Sequence, residues 1–223
     1  MVTDGVVVPA TRSGLVSPVF AVPKPDGGLR FIHDLRALNE VVPSTPFRME
    51  GLSTLRQLVR RDDWMVRVDL KSAYWHLSVH PDSRHLLQFE LEGRTWQFAS
   101  MPFGLAIAPR IFTKVMRPVV RVLRTRGIRC VVYLDDLLLL STSKQDSERA
   151  ASMAVGLLQS LGFLINKEKS ALVPQQQQRF LGVVVDSTRL RWGPTKERVR
   201  RIRRETAKWR NRAKRLLWPT IPQ

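Results

Sequence analysis

Two adjacent aspartates lie in a short turn between two apolar segments of the sequence. Asp135 and Asp136 separate residues 130–134 from residues 137–140, and both flanking segments are mostly aliphatic. Neighbouring carboxylates repel each other, and apolar surroundings disfavour their charged forms. Aspartate is common in turns, but an ordinary hairpin turn needs only Asn-Gly or Asp-Gly. The pair therefore favours a cation site, and oxygen ligands without His or Cys favour Mg²⁺ or Mn²⁺ over zinc.

A third carboxylate lies near the end of a predicted strand elsewhere in the chain. Residues 64–70 alternate in the manner of a strand, and Asp69 comes just before the end of this segment. If this strand lies beside residues 130–140, the three carboxylates meet at one edge of a sheet. Two divalent ions held there about 4 Å apart would serve the attacking and the leaving oxygen of an in-line phosphoryl transfer.

The overall charge indicates which class of substrate such a site would serve. The 223 residues include 37 Lys and Arg against 19 Asp and Glu, a formal net charge of +18. Residues 196–215 alone carry eleven basic side chains and two acidic ones. An excess of this size predicts a polyanionic partner, with nucleic acid first and an acidic membrane surface second.

Other classes of protein are disfavoured by what the sequence lacks. Cys130 is the single cysteine, which excludes an internal disulfide and a cysteine-rich zinc module. No apolar run approaches the roughly 20 residues of a membrane-spanning helix, and the first residues do not resemble a secretory signal. We therefore expect an intracellular protein, in the cytoplasm or the nucleus, without a membrane among its partners.

Periodicity and turn residues predict the elements that must position the carboxylates. Hairpins are predicted for residues 19–22 with 29–32 and for residues 86–91 with 95–98, a further strand for 180–185, a loop for 175–178, and helices for 108–126, 144–161 and 196–216. The first helix is predicted to bury the face that carries residues 111, 115, 119 and 122. His76 and His80 fall in a segment that alternates like extended chain, so we do not expect them to bind a metal together. This order of strands and helices predicts an α+β fold with an antiparallel sheet.

Short motifs follow one another around the carboxylates in a characteristic order. They are Val22-Pro23-Lys24 with Arg30, Asp69 with Tyr74, Met101-Pro102-Phe103-Gly104-Leu105, Tyr133-Leu134-Asp135-Asp136, Leu161-Gly162-Phe163 with Asn166 and Lys169, and Phe180-Leu181-Gly182. With these motifs, the chain from about Leu15 to about Arg203 resembles reverse transcriptases, and in detail most of all those of gypsy-type and DIRS-type retrotransposons.

The resemblance implies a fold, an activity and partners. It implies the fingers and palm of a right-hand polymerase, with a ferredoxin-like antiparallel palm sheet packed on helices. Residues 1–17 would be a lead-in, 18–193 the fingers and palm, and 194–223 a basic helix that begins a thumb or connection. The activity would be that of an RNA-directed DNA polymerase, a nucleotidyltransferase that uses two Mg²⁺ ions, or Mn²⁺ in their place. Its partners would be dNTPs and an RNA or DNA template–primer.

The resemblance also implies a role for each residue that matches a motif. Asp69 and Asp135 would bind both metal ions with the carbonyl of Leu70, and Asp136 would be a weaker third carboxylate. The implied nucleotide-binding residues are Lys24, Arg30 and Lys169 at the phosphates, Tyr74 beneath the deoxyribose, and Phe103 and Gly104 lining the pocket. Phe180, Leu181 and Gly182 would form the primer grip.

Two other functions fit the sequence less well but stay open. The chain could be a catalytically idle, nucleic-acid-binding remnant of a retroelement, although Asp69, Asp135 and Asp136 are all present. It could also be a two-metal nuclease or cyclase, which the predicted hairpin with Lys24 and Arg30 disfavours. At single positions, Lys24 and Arg30 could be ordinary solvated charges, and Tyr74 could be a core aromatic residue.

Overall fold

The computed structural model describes residues 1–23, 27–43 and 45–217 of the chain, with side chains to residue 210. The strands are β1 (Val7–Pro9), β2 (Val19–Pro23), β3 (Leu29–His33), β4 (Trp64–Asp69), β5 (Gln88–Leu91), β6 (Arg94–Phe98), β7 (Arg129–Tyr133), β8 (Asp136–Ser141), β9 (Ala171–Gln175), β10 (Gln177–Phe180), β11 (Val183–Asp186) and β12 (Arg191–Pro194). The α-helices are α1 (Arg36–Val41), α2 (Leu52–Leu58), α3 (Ala108–Thr125), α4 (Lys144–Ser160) and α5 (Lys196–Leu217), and 3₁₀ helices span Ala73–His76 and Pro81–Leu87.

The central sheet has four strands in the order β7-β8-β4-β9, and every neighbouring pair is antiparallel. Along the chain its elements follow as β4, α3, β7, β8, α4 and β9. This is the connectivity of the ferredoxin-like split βαβ motif. The predicted α+β fold with a ferredoxin-like palm sheet is therefore confirmed.

Alternation along β4 explains how the sheet carries both a core and a polar site. Val66, Val68 and Leu70 belong to the core formed with α3 and α4, whereas Met65 belongs to a second core on the opposite face. Asp69 lies an even number of positions from Met65, so its side chain leaves the sheet on that second face.

Strand β8 is buried on both faces, as expected for a central strand made of one apolar run. Leu137 to Leu140 are all at most 2% exposed, and each buried leucine contributes about 1.5–3 kcal/mol relative to an exposed one. The second face is covered by Leu55 of α2 and by Phe180 and Val185 of the sheet β10-β11-β12.

The N-terminal part of the chain forms two smaller sheets. Strands β2 and β3 pair as the predicted hairpin, and β1, β6 and β5 form a three-stranded sheet. Phe31, His33, Phe89 and Phe98 pack together in the core of this region. The residues between 23 and 27, including Lys24, lie outside the described residues.

A buried ion pair links β7 to the start of β4. Asp63 is fully buried, and Arg129 donates to its carboxylate at 2.8 Å and to the carbonyl of Leu58 at 2.7 Å. The backbone N–H of Arg60 also donates to Asp63 at 2.7 Å. These bonds compensate the carboxylate for the loss of its hydration.

Several sequence-based predictions of local structure were wrong. Residues 175–178 are not a loop, because Gln175 ends β9 and Gln177 begins β10. Residues 180–185 are not one strand, because Leu181 and Gly182 have φ values of +48° and +77° and turn the chain between β10 and β11. The alternating segment around His76 begins with a 3₁₀ turn rather than extended chain.

The predicted helix 108–126 is α3, and of the four residues predicted to share a face only Val119 is buried, while Ile111 packs partly exposed against the core. The buried residues of α3 are Ala108, Phe112, Met116, Val119, Val120 and Leu123, whereas Val115 is 38% exposed. In the part of the chain that the structure describes, no helix is both long enough and apolar enough to cross a membrane.

Candidate active site

The hairpin between β7 and β8 carries the aspartate pair at its tip. Tyr133 and Asp136 are opposite each other in the register, which leaves Leu134 and Asp135 as the two turn residues. Leu134 has φ of +53°, a conformation that usually requires glycine and costs a larger side chain about 1 kcal/mol or more. The carbonyl of Asp135 accepts a hydrogen bond of 2.9 Å from the N–H of Leu70, so the turn is tied to the end of β4.

Asp69 lies directly opposite Asp136 in the pairing of β4 with β8. Its position is fixed from a third segment, since its N–H donates to the Ser170 hydroxyl at 3.0 Å and its carbonyl accepts from the N–H of Asn166 at 2.8 Å. The structure therefore brings the three predicted carboxylates together from two strands and one turn.

Each carboxylate makes the ionisation of its neighbours less favourable. Burial first, and then the charge of Asp135, raises the pKa of Asp136 to about 6, with Arg67 opposing the shift. Burial also raises the pKa of Asp69, while Lys169 opposes this and Asp135 adds to it. The charge of Lys169 thus acts on the carboxyls of both Asp69 and Asp136.

A divalent cation would relieve this repulsion, and the donors are the oxygens that Mg²⁺ prefers. Among the described residues, however, no group of three or more His, Cys, Asp or Glu side chains is arranged to hold a metal ion by itself. Mg²⁺ is commonly held by one or two carboxylates plus substrate phosphates rather than by a complete protein cage. The donor set fits that mode of binding.

Tyr74 and Phe103 form an aromatic wall beside the carboxylates. Tyr74 is 9% exposed, and its ring centre lies 4.9 Å from that of Phe103 and 5.7 Å from that of Phe112. Burial, followed by the charges of Asp135 and Tyr133, raises the pKa of Tyr74 to about 12. Phe103 is 48% exposed, so this wall has one buried and one open member.

Gly104 is required by its backbone and by a close neighbour. Its φ is +96°, and an added Cβ would lie 3.2 Å from the carbonyl oxygen of His33. Asn39 of α1 holds the same loop by two bonds, donating to the Gly104 carbonyl at 2.8 Å and accepting from the Ala106 N–H at 2.7 Å. The candidate nucleotide pocket is thus pinned to the N-terminal region.

Arg67 joins the candidate site to the region after β9. It lies two residues before Asp69, and its guanidinium donates to the carbonyls of Lys169 and Arg179. The sequence feature that marks Arg67 is its position between two valines, where a basic side chain must find polar partners.

His76 supports the turn that carries Tyr74. Its Nε2 accepts a hydrogen bond of 3.0 Å from the N–H of Leu164, and its ring packs on Phe163. His76 therefore links the turn that carries Tyr74 to residues 163 and 164. Its link to residue 164 had no signal in the sequence, because only the fold brings the two segments together.

The predicted primer grip divides into a buried and an open part. Phe180 is 1% exposed and belongs to the core. Leu181 and Gly182 form the turn, and the Gly182 carbonyl accepts from the N–H of Thr195 at 3.2 Å, just before α5. A Cβ on Gly182 would lie 3.0 Å from the guanidinium of Arg198, so the turn packs closely on that helix.

Of the two remaining predicted cations, only Arg30 is among the described residues. Arg30 is exposed on β3, and within the described part of the chain no hydrogen bond or ion pair links it to Asp69, Asp135 or Asp136. Lys24 is not among the described residues. From residue 196 to residue 210, helix α5 is mostly exposed, with Ile202 at 54% and Trp209 at 68%, and the basic side chains of this part face solvent.

Comparisons with known proteins agree with this arrangement. Residues 22–185 match the family model of the reverse transcriptases (RNA-dependent DNA polymerases). The chain is 29% identical over 157 residues to the genome polyprotein of Petunia vein clearing virus, covering 70% of this chain and 7% of that protein. It is 27% identical over 165 residues to the transposon Tf2-7 polyprotein of Schizosaccharomyces pombe, covering 74% of this chain and 12% of that one.

A solved structure is similar over nearly the whole fold. It is the foamy viral protease–reverse transcriptase in complex with double-stranded DNA, at 28% identity and a TM-score of 0.78, covering 88% of this chain and 33% of that one. The chain thus spans a third or less of the length of each of these relatives. With a family match that spans most of its length, the chain belongs to the reverse transcriptase (RNA-dependent DNA polymerase) family.

Proposed function

We propose that this chain forms the fingers and palm of an RNA-directed DNA polymerase that extends a primer 3′ end with deoxynucleotides. The observation that carries the proposal is the pairing of Asp69 with Asp136 across two strands, with Asp135 in the turn beside them. The aromatic wall of Tyr74 and Phe103 lies next to this cluster. A nucleotide bound between the wall and the carboxylates would present its phosphates to the acidic side and its sugar to the rings.

Divalent ions suit the carboxylates and would supply the charge stabilisation of phosphoryl transfer. Asp69 and Asp135, with the carbonyl of Leu70, would hold two Mg²⁺ ions, or Mn²⁺ in their place, and Asp136 would be the weaker third carboxylate. The raised pKa of Asp136 supports this role, because a site that disfavours its own charge gains most from a bound cation.

The protein's own groups would orient the substrates. Lys24 and Arg30 would bind the triphosphate, and Lys169 would lie near the departing pyrophosphate, where its charge already acts on Asp69 and Asp136. Tyr74 would exclude a 2′-hydroxyl by contact with the sugar.

Other groups would shape the pocket and hold the primer. Asn39 would keep Phe103 and Gly104 in place at the edge of the nucleotide pocket. The turn at Leu181 and Gly182, which follows Phe180 in the core, would contact the primer.

The domain boundaries and the origin of the chain are part of the same proposal. Residues 1–17 would lead into a fingers and palm unit of residues 18–193, and residues 194–223 would begin a thumb or connection. The gypsy-type or DIRS-type subtype rests on the motifs alone. An RNA or DNA template–primer is proposed from the activity and from the net charge of +18, and an intracellular location from the single cysteine.

Substitution of Asp135 by Asn tests the activity. The change removes one charge from the cluster and keeps the size of the side chain, so primer extension with Mg²⁺ should fall by several orders of magnitude. Template–primer binding, which depends on Lys and Arg, should stay within about twofold of the parent. Extension by the Asp135→Asn variant at nearly the parental rate would refute the metal assignment, and cleavage of the primer by the parent in place of extension would favour a nuclease.

A further inference from the structure

A basic groove runs along the outer side of α3, on the edge of the palm sheet. It is a cavity of about 660 Å³ between α3, the edge strand β7 and the segment that precedes α2. Among the described residues, four arginines line it, namely Arg48, Arg117, Arg121 and Arg124, and Glu50 is the one acidic residue in this lining. We call this cavity the α3 groove. It is separate from the predicted nucleotide and primer contacts. One part of it is lined by Leu134, which with Asp135 forms the turn between β7 and β8, here called the catalytic turn.

One of the four arginines is used by the fold. Arg124 donates to the Glu50 carboxylate at 2.7 Å and to the carbonyl of Cys130 at 2.8 Å. Glu50 in turn accepts from the N–H of Val132 at 3.0 Å. This pair closes the exposed edge of β7, so its charges are balanced within the protein.

The other three arginines have no balancing charge. Within the described residues, Arg48, Arg117 and Arg121 are exposed and form no ion pair. Arg117 and Arg121 are four residues apart on the same helix face, where like charges repel by about 0.2–0.5 kcal/mol. The arrangement lowers the stability of the free protein slightly and would be favourable only beside an anion.

The floor of the groove indicates which kind of anion fits. Met116, Val120 and Val132 are all less than 10% exposed and form an apolar surface between the arginines. A duplex presents mainly phosphates, because its base faces are stacked inside. An unpaired strand presents both phosphates and apolar base faces, which matches arginine walls over an apolar floor.

The length of the groove agrees with a short stretch of single strand. Its lining on α3 extends from Thr113 to Thr125, which at 1.5 Å per residue is about 18 Å. With about 3.4 Å between successive nucleotides of a stacked strand, this is room for about five nucleotides.

We propose that the α3 groove binds the unpaired part of the template strand beside the catalytic turn, with its phosphates on Arg48, Arg117 and Arg121 and its bases on the apolar floor. The identity of the strand as template rests on the proposed polymerase function. Binding of an unpaired strand by the groove does not.

The test compares two substrates and two matched double variants of the full chain. The groove variant is Arg117→Gln with Arg121→Gln. The control variant is Arg94→Gln with Lys144→Gln, which removes the same charge from exposed positions outside the groove. Fluorescence anisotropy measures binding of a labelled primer–template with an eight-nucleotide 5′ overhang, and of the same duplex with blunt ends, over a range of salt concentrations.

The groove variant should lose affinity only for the overhang substrate. Two lost phosphate contacts on a single strand lower the slope of log K against log salt by about 1.4, which at 0.15 M salt is a loss of about tenfold. Arg48→Gln, on a different segment, should lose about fourfold by the same reasoning. The control variant should bind each substrate with the affinity of the parent, and its circular dichroism melt should coincide with that of the groove variant.

Three results would overturn the inference. They are an unchanged affinity for the overhang, an equal loss on the blunt duplex, and an equal loss in the control variant. Primer extension by the parent is measured separately. If the parent does not extend primers but the overhang-specific loss is found, the polymerase proposal fails and the groove stands as a site for unpaired strands.

Discussion

Asp136 is expected to destabilise the metal-free protein, so replacing it with Asn should make the fold more stable at neutral pH. The cause is its pKa, which burial and the neighbouring carboxylates raise to about 6 from an ordinary value of 3.8. A carboxyl with a raised pKa binds an extra proton in the folded state between these two values. The free energy of unfolding therefore decreases as the pH rises from about 4 to above 6.

The size of the effect follows from the shift. A rise from 3.8 to about 6 corresponds to about 3 kcal/mol at 1.36 kcal/mol per unit. The Asp136 side chain is only partly buried, and solvent screening reduces this figure to about 1–2 kcal/mol. In the part of the chain that the structure describes, this carboxylate accepts no hydrogen bond from a side chain, so Asn loses no such partner.

Urea unfolding of the parent and of Asp136→Asn, in the presence of a chelator, measures the difference. At pH 7.5 the variant should be more stable by about 1–2 kcal/mol, and at pH 4 the two should nearly coincide. Added Mg²⁺ should stabilise the parent more than the variant. A variant that is equally stable or less stable at pH 7.5, or a difference that does not change with pH, would refute the view that the carboxylate is held at an energetic cost.

Three further predictions concern other parts of the chain. Tyr74→Ala should reduce the preference for dNTP over rNTP by about 10–100-fold, or 1.4–2.8 kcal/mol, while Tyr74→Phe should keep it. Single-nucleotide extension measures this preference, and unchanged selectivity in the Ala variant would mean that Tyr74 is a core residue only. Deletion of residues 196–223 should lower the slope of log K against log salt for duplex binding by about 0.9 per lost phosphate contact, and an unchanged slope would assign the helix to another partner. Asp63→Ala should cost about 3–5 kcal/mol in urea unfolding, because it leaves the partly buried Arg129 without its counter-charge. A loss below about 1 kcal/mol would contradict this.

The carboxylates could be identified from the sequence because the energetic cost of placing them among aliphatic residues depends on their immediate neighbours in the chain. Asp135 and Asp136 interrupt aliphatic strands, and such an interruption is visible without knowledge of the fold. The hairpins and long helices were predictable for a related reason, since each depends on periodicity and turn residues close together in the chain. The proximity of Asp69 to the pair was predicted on the condition that its strand lies beside residues 130–140, and the register of β4 and β8 fulfils this condition.

The errors occur where distant segments decide the local structure. Gln175 and Gln177 have little intrinsic preference for strands, and they are extended because β4 and β11 pair with their segments. On α3, two helical faces carry apolar residues, and only the packed sheet selects Phe112 and Met116 over Val115. Asn39 and His76 act on loops far away in the chain, at residues 104–106 and 164, so no local pattern could assign them.

The register of β4 and β8 has a consequence for the quality control of folding. A slip of one residue between these strands would move each affected side chain to the other face of the sheet. Leu137 to Leu140, which fill the cores on both faces, would be displaced by the same slip that separates Asp136 from Asp69. A mispaired chain would therefore lose its cores together with its acidic cluster. Stably folded molecules are therefore those in which the carboxylates are correctly paired, and a folded but mispaired population should not accumulate.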